Sequence, residues 1–189
     1  MSAVVRNAVP RDTKAIREVY HKTWLVTYPN EEHKILLTDI EACWSGAFTP
    51  ESIKKGEQRI AYLPPTQQIF VAEVDGAVVG VTDVTLGKLE STVATLYVLP
   101  EYHRQGIGGE LFAHALDFLG PESDIIADIA VYNIGAIKFF ESLGFVVTPD
   151  ILQKAVFRMP SGSVITEQRM KREAKYFQNK ETPPIRAAL

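Results

Sequence analysis

Tyr97-Val-Leu-Pro-Glu-Tyr-His-Arg-Gln-Gly-Ile-Gly-Gly-Glu-Leu-Phe112 is the stretch from which the rest of the chain is read. It opens as a strand, breaks at Pro100, passes a turn with Gly106, Gly108 and Gly109, and continues as a helix. Ile107, Leu111, Phe112, Ala115, Leu116 and Leu119 recur at helical spacing, which gives that helix a buried face. Glycines let backbone N–H groups approach a ligand, and a helix N-terminus adds positive potential. Such a turn suits a phosphate or pyrophosphate; a tight turn with no ligand is the competing reading. It is not a P-loop, because Gly109 is followed by Glu110 rather than by Lys and Ser or Thr. It is not a dinucleotide fingerprint either, because Leu111 stands where the last glycine belongs.

Working outward, the 189 residues predict one domain, with room for an appendage. Hydrophobic residues at 46% and charged residues at 23% are ordinary for a globular protein. A net charge of −3 argues against non-specific nucleic-acid binding and is compatible with a cationic substrate. The N-terminus lacks a signal-peptide run and no apolar stretch is long enough to span a bilayer, so no membrane partner is expected. The lone Cys43 excludes an internal disulfide and fits a reducing compartment, the cytoplasm. It lies in a helical pattern and is expected in the core rather than as a nucleophile.

Residues 4–9 read as a first strand, and Pro10 and Asp12 start a helix with Ile16, Val19, Tyr20, Thr23 and Trp24 on one face. Trp24 and Tyr28 stand beside Glu31, Glu32 and His33. They read as one wall of a substrate pocket, or as packed aromatics with a solvated acidic loop. A helix is expected over 38–48, and Thr49-Pro50 caps another. Asp75-Gly76 between two apolar runs predicts a hairpin. A third strand, 91–99, should lie antiparallel to it. The strand at 125–132 follows a helical crossover, so it is expected parallel to 91–99. Asn133 caps a short helix that stops at Gly144, and 145–148 and 155–159 read as two final strands. Beyond residue 161 the composition turns basic. Met170, Ala174 and Phe177 form a narrow stripe, which predicts a helical tail over 161–189 appended to a domain of residues 1–160.

With both segments in view, residues 96–109 resemble the acyl-CoA-binding motif of the GNAT superfamily of acetyl-CoA-dependent N-acetyltransferases. Asn133-Ile-Gly-Ala-Ile-Lys-Phe-Phe-Glu-Ser-Leu-Gly-Phe145 resembles that superfamily's next motif, NxxAxxFYxxxGF. The resemblance extends from Val4 to about Met159 and is specific in these two stretches. It implies an α/β fold: a strongly twisted mixed sheet of about six or seven strands flanked by helices, with a splayed parallel strand pair. The splayed strands, 91–99 and 125–132 here, would admit the pantetheine arm of acetyl-CoA. The cofactor residues it implies are Tyr97, Val98, Leu99, His103, Arg104, Gln105, Gly106, Ile107, Gly108, Gly109, Asn133, Phe139 and Phe140. No metal is expected.

The chain departs from the family pattern at three positions. His103 opens the phosphate motif where Arg or Gln is usual. Phe140 stands where many relatives place the tyrosine that protonates the leaving thiolate, and Thr95 replaces a common glutamate. The resemblance implies direct attack of an amine on the thioester, with a backbone N–H near Tyr97 or Val98 holding the oxyanion. Asp83 and Asp128 are the candidate proton acceptors, each with a structural role as the competing reading, and Tyr132 is a candidate acid. Trp24, Tyr28 and Glu32 are the candidate substrate residues; the acceptor is expected to be a small amine such as a polyamine. A protein N-terminus or lysine is the alternative acceptor. An acetyl-CoA sensor with little turnover is the alternative class, motivated by Thr95 and Phe140. A homodimer is plausible from the behaviour of relatives.

Overall fold

The structure is a computed structural model and describes residues 3–174. Seven strands form one sheet in the order β1-β2-β3-β4-β5-β7-β6. They are β1 (Val4–Asn7), β2 (Gln67–Val74), β3 (Ala77–Thr85), β4 (Glu90–Val98), β5 (Asp124–Ala130), β6 (Val146–Arg158) and β7 (Val164–Arg172). The helices are α1 (Thr13–Thr27), α2 (Leu37–Trp44), α3 (Pro50–Ala61), α4 (Ile107–Leu119) and α5 (Ile134–Ser142). β4 and β5 are parallel and the other pairings antiparallel, as the helical crossover required.

Local chemistry explains several boundaries. Asp75 and Gly76 both have positive φ, 50° and 81°, so the β2–β3 hairpin turns with the twist of its strands. The Thr49 hydroxyl accepts from the Ser52 N–H to cap α3, and the Asn133 side-chain oxygen Oδ1 accepts from the Ala136 N–H to cap α5.

α1 and α4 cover opposite faces of the sheet. Thr95 and Tyr97 face α1, where Tyr20 hydrogen-bonds Thr95 and packs edge-on against Tyr97. Leu96 and Val98 alternate to the other face, toward α4. The main core spans α1, β2–β5, α4 and α5. A second cluster, Ile35, Ile40, Ala130, Met159 and Ile165, lies against Trp24, Tyr28, Trp44 and Tyr132.

Three expectations change. The stretches 145–148 and 155–159 belong to one edge strand, β6, whose register shifts between Val147 and Ile151, where Pro149 sits. The basic stretch expected to begin a helical tail is β7 as far as Arg172, lying between β5 and β6. Its charges find partners across strands: Arg169 on Asp128, and Lys171 on Glu90 and Asp124. Residues 175–189 of the expected tail lie outside the described residues. Cys43, expected in the core, is exposed; partial burial first, then Asp39, pushes its thiol pKa up, which disfavours the nucleophilic thiolate.

Candidate active site

β4 and β5 pair only at Glu90↔Asp124, Ser91↔Ile125 and Thr92↔Ile126, and then part. The cause lies in β4. Asp83 pairs with Thr95 and Val84 with Val93, which leaves Ala94 as an extra residue. A bulge of this kind bends and twists its strand, and it begins where pairing to β5 stops. β4 therefore keeps β3 on one edge and opens a gap on the other.

The Leu99 N–H donates to the Val79 carbonyl (2.8 Å), and amides alternate along a strand, so the Val98 N–H points into the gap. The Val98 carbonyl points the same way and is bonded to the His103 ring at Nε2 (2.8 Å). That ring nitrogen ties the turn back to β4.

Beyond His103 the chain passes Arg104 (φ 61°) and Gly106 (φ 84°) and enters α4. Glu110 is the first residue of α4 whose N–H turns inward, to the Gly106 carbonyl (3.1 Å). The amides of Gly106, Ile107, Gly108 and Gly109 before it are the donors a helix start leaves free, and successive amides in such a turn form an anion-binding concavity. Arg104, Gln105 and Gly106 are exposed. A Cβ on Gly108 would lie 3.1 Å from the Phe139 ring, so glycine there lets α4 meet α5. Phe139 is half-buried, whereas Phe140 is buried in the core, edge-on to both Phe139 and Phe145.

On the α1 face, Tyr97, Tyr28, Trp24 and Tyr132 come together. The Tyr28 and Tyr97 hydroxyls share a 2.6 Å hydrogen bond, and the Tyr132 hydroxyl donates to the Tyr28 carbonyl (3.0 Å). Trp24 packs edge-on to Tyr28 with ring centres 4.8 Å apart. Burial pushes the Tyr28 and Tyr132 hydroxyls up to about 12 and Tyr97 well above its usual value, so all three stay protonated at neutral pH. A cleft of about 570 Å³ opens beside them, walled by Tyr20, Trp24, Trp44, Arg17, Arg59 and Met159. Glu32 is exposed and does not line it.

The two expected carboxylates are engaged elsewhere. Asp83 is buried, with Arg59 at 2.5 Å and the Gln67 amide at 2.9 Å. Asp128 receives two bonds from Arg169 (2.9 and 3.0 Å) and one from Lys154 (2.8 Å). Burial alone would raise the Asp128 carboxyl, but Arg169 and Lys154 outweigh it and hold it below the usual range. A third carboxylate, Glu167 on β7, is 6% exposed and escaped the sequence reading because it sat in a supposed helix. A two-residue alternation over Ile165 and Glu167 was the signal available. Among the described residues no cluster of three metal-ligating side chains occurs, and no helix is long and apolar enough to cross a membrane.

A twisted mixed sheet parted between parallel strands, with a glycine-lined helix start beside the gap, defines the class. Residues 65–147 match the family model described as an acetyltransferase (GNAT) domain. It is 27% identical over 136 residues to the alpha/beta-tubulin-N-acetyltransferase 9 of Mus musculus, covering 67% of this chain and 54% of the mouse protein. The chain thus spans about half the length of that curated relative. The PaiA N-acetyltransferase of Thermoplasma acidophilum, solved with coenzyme A, superposes with a TM-score of 0.69 at 20% identity, over 92% of this chain and 99% of that one. YncA of Salmonella typhimurium, a putative acetyltransferase by its description, solved with acetyl-CoA, gives 0.64 at 19% identity, over 96% and 99%. These likenesses establish the fold.

Proposed function

We propose that the protein transfers the acetyl group of acetyl-CoA to a primary amine by direct attack on the thioester. The observation that carries this is the β4–β5 gap opening past Thr92 and Ile126 beside the free amides at the start of α4. The pantetheine arm would pair with the open strand edges, whose polar groups need partners. The pyrophosphate would rest on amides between His103 and Gly109, and Asn133 would bond the arm as well as cap α5. The Val98 N–H, aimed into the gap, is the oxyanion donor. Such a donor is worth about 3 kcal/mol of transition-state stabilisation. Leu99 and Phe139 border the arm. Tyr132 is the candidate acid for the departing thiolate; Phe140 has no proton to give.

The acceptor enters from the cleft along Trp24, the lining residue that packs on Tyr28. A small amine fits its size, and a polyamine belongs among the acceptors to be tested, although the cleft lining holds no carboxylate. A second reading, a protein N-terminus or lysine as acceptor, is favoured by the name of the mouse relative. The edge strand β6 exposes Val146, Val147, Ile151 and Val156, which supports pairing of two copies along it. The lone cysteine is consistent with a cytoplasmic setting.

The experiment is thiol release from acetyl-CoA with a panel of polyamines, arylalkylamines, amino acids and N-terminal peptides, with mass detection of the product. Acetyl-CoA binding measured by calorimetry, with no release above hydrolysis for any acceptor, would instead establish a sensor.

A further inference from the structure

An alkylammonium must lose a proton before it can attack, since its pKa is about 10.4. Asp83 and Asp128, each hydrogen-bonded by an arginine guanidinium, are poor acceptors. Glu167 differs from both. It shares a face of β7 with Ile165, and its cross-strand partner is Ala130. Ile165 and Ala130 both belong to the cluster that packs on Trp24, Tyr28 and Tyr132. Glu167 therefore lies on the acceptor side of the sheet, one strand in from the open edge of β5. Its charge reaches the Tyr28 and Tyr97 hydroxyls and adds to the upward push on both.

Five charged or titratable groups face it: Lys154 from β6, Asp128 from β5, Arg169 on β7, Tyr28 from α1 and Tyr97 from β4. Lys154 Nζ lies 2.9 Å from Glu167 Oε2 and 2.8 Å from Asp128 Oδ2. The ammonium meets hydrogen-bond geometry at Asp128, whereas Oε2 is buried without a directed bond. Lys154 thus pairs with Oε2, and the oxygen of this carboxylate left to take a proton is Oε1. Burial pushes the Glu167 carboxyl above its usual range, and Lys154 only partly counters it.

We propose, resting on the acetyl-transfer reading above, that Glu167 is the proton acceptor of the reaction. The ammonium gives one proton to a Glu167 carboxylate oxygen, and the freed nitrogen lone pair forms the C–N bond to the acetyl carbon. As the C–S bond breaks, the second nitrogen proton goes to the leaving sulfur. Glu167 then releases its proton to solvent. The sum is an amide, the free thiol and one proton.

The test is the pH profile of kcat/KM between pH 5 and 9, with an amine accepted in the panel. The wild type should lose activity as pH falls and the carboxylate protonates. Glu167→Gln should lose at least about a hundredfold near pH 7. Its rate should then follow only the free-amine fraction, without the lower limb, while acetyl-CoA affinity stays within about twofold. Glu167→Asp should keep the limb at reduced rate. Lys154→Met supplies a second reading should the Gln variant fail to fold: without the ammonium the limb should move to higher pH. A Glu167→Gln enzyme within about threefold of wild type with the same limb, or a limb unmoved in Lys154→Met, overturns the proposal and leaves acetyl transfer standing. A wild type that binds acetyl-CoA but acetylates no amine refutes the acetyl-transfer reading, and the role of Glu167 falls with it.

Discussion

Replacing Gly108 by valine probes the junction of α4 and α5. The first added carbon would lie 3.1 Å from Phe139 Cζ and 3.3 Å from Cε2, closer than ordinary contact, with Leu96 Cδ2 at 3.7 Å. Two further methyl groups must also be placed. Either the half-buried Phe139 ring turns out of its packing, or the first turn of α4 tips away from α5. Overpacking of this kind costs about 1–3 kcal/mol. If the helix start tips, the amides before Glu110 lose their aim, and the penalty appears in ligand binding. About 1.4 kcal/mol is a tenfold change in affinity, so acetyl-CoA should bind roughly tenfold to a hundredfold more weakly. Calorimetry measures this, with circular dichroism to verify the fold. Gly109→Ala is the contrast in stability: its Cβ meets nothing within 4 Å, and alanine favours helix over glycine by about 1 kcal/mol, so its Tm should hold or rise. A folded Gly108→Val that binds acetyl-CoA with wild-type affinity would refute the phosphate site and the argument from Phe139 together.

Phe140→Tyr should lower stability by about 1–3 kcal/mol, because the added hydroxyl enters a buried aromatic cluster, and kcat should change less than twofold; a thermal melt and a rate assay read the two effects, and a large rise in kcat would show that a missing acid limits turnover. Asp83→Asn should destabilise by about 1–3 kcal/mol by loosening Arg59 and Gln67, yet leave kcat/KM within about threefold; a hundredfold loss in a folded variant would make Asp83 the base. Asp12 is buried, which alone would raise its pKa, but the Arg6 guanidinium and the Val9 N–H pull it below the usual value. That stability is present above the unfolded value of about 3.9 and is lost as pH falls through the folded one. Asp12→Asn should therefore be less stable than wild type at pH 7 in urea titrations, with the difference closing toward pH 2.

Where local chemistry forces the backbone, the sequence was sufficient. Asp75-Gly76 and Gly106 take a left-handed backbone that few other residues adopt, Thr49 and Asn133 supply the side-chain oxygens that cap their helices, and each turn or cap falls where it was read. The order from β2 to β5 followed from the short links and the helical crossover, whereas the place of β1 beside β2 was not read. β7 was illegible because its charges are matched only by residues distant in sequence: Asp128, Asp124 and Glu90. Pro149 hid the continuity of β6, since proline in a strand is tolerated only at edges and bulges, and no local signal reveals an edge. In the candidate site, the tyrosine cluster joins α1, β4 and the end of β5, a meeting that tertiary packing decides. The commitments of Asp83 and Asp128 were hidden for the same reason: Arg59 and Arg169 sit 24 and 41 positions away.

The short pairing of β4 with β5 leaves the sheet as two leaves sewn together by three residue pairs. A guest threaded between them would act as a rivet. Its binding should slow hydrogen–deuterium exchange at the amides of Val98 and Ala130, which alternate away from the neighbouring β3 and β7, and raise the melting temperature with concentration, since a ligand of the native state alone stabilises by RT ln(1 + [L]/Kd). The empty molecule should accordingly breathe along this seam before it unfolds anywhere else in the sheet.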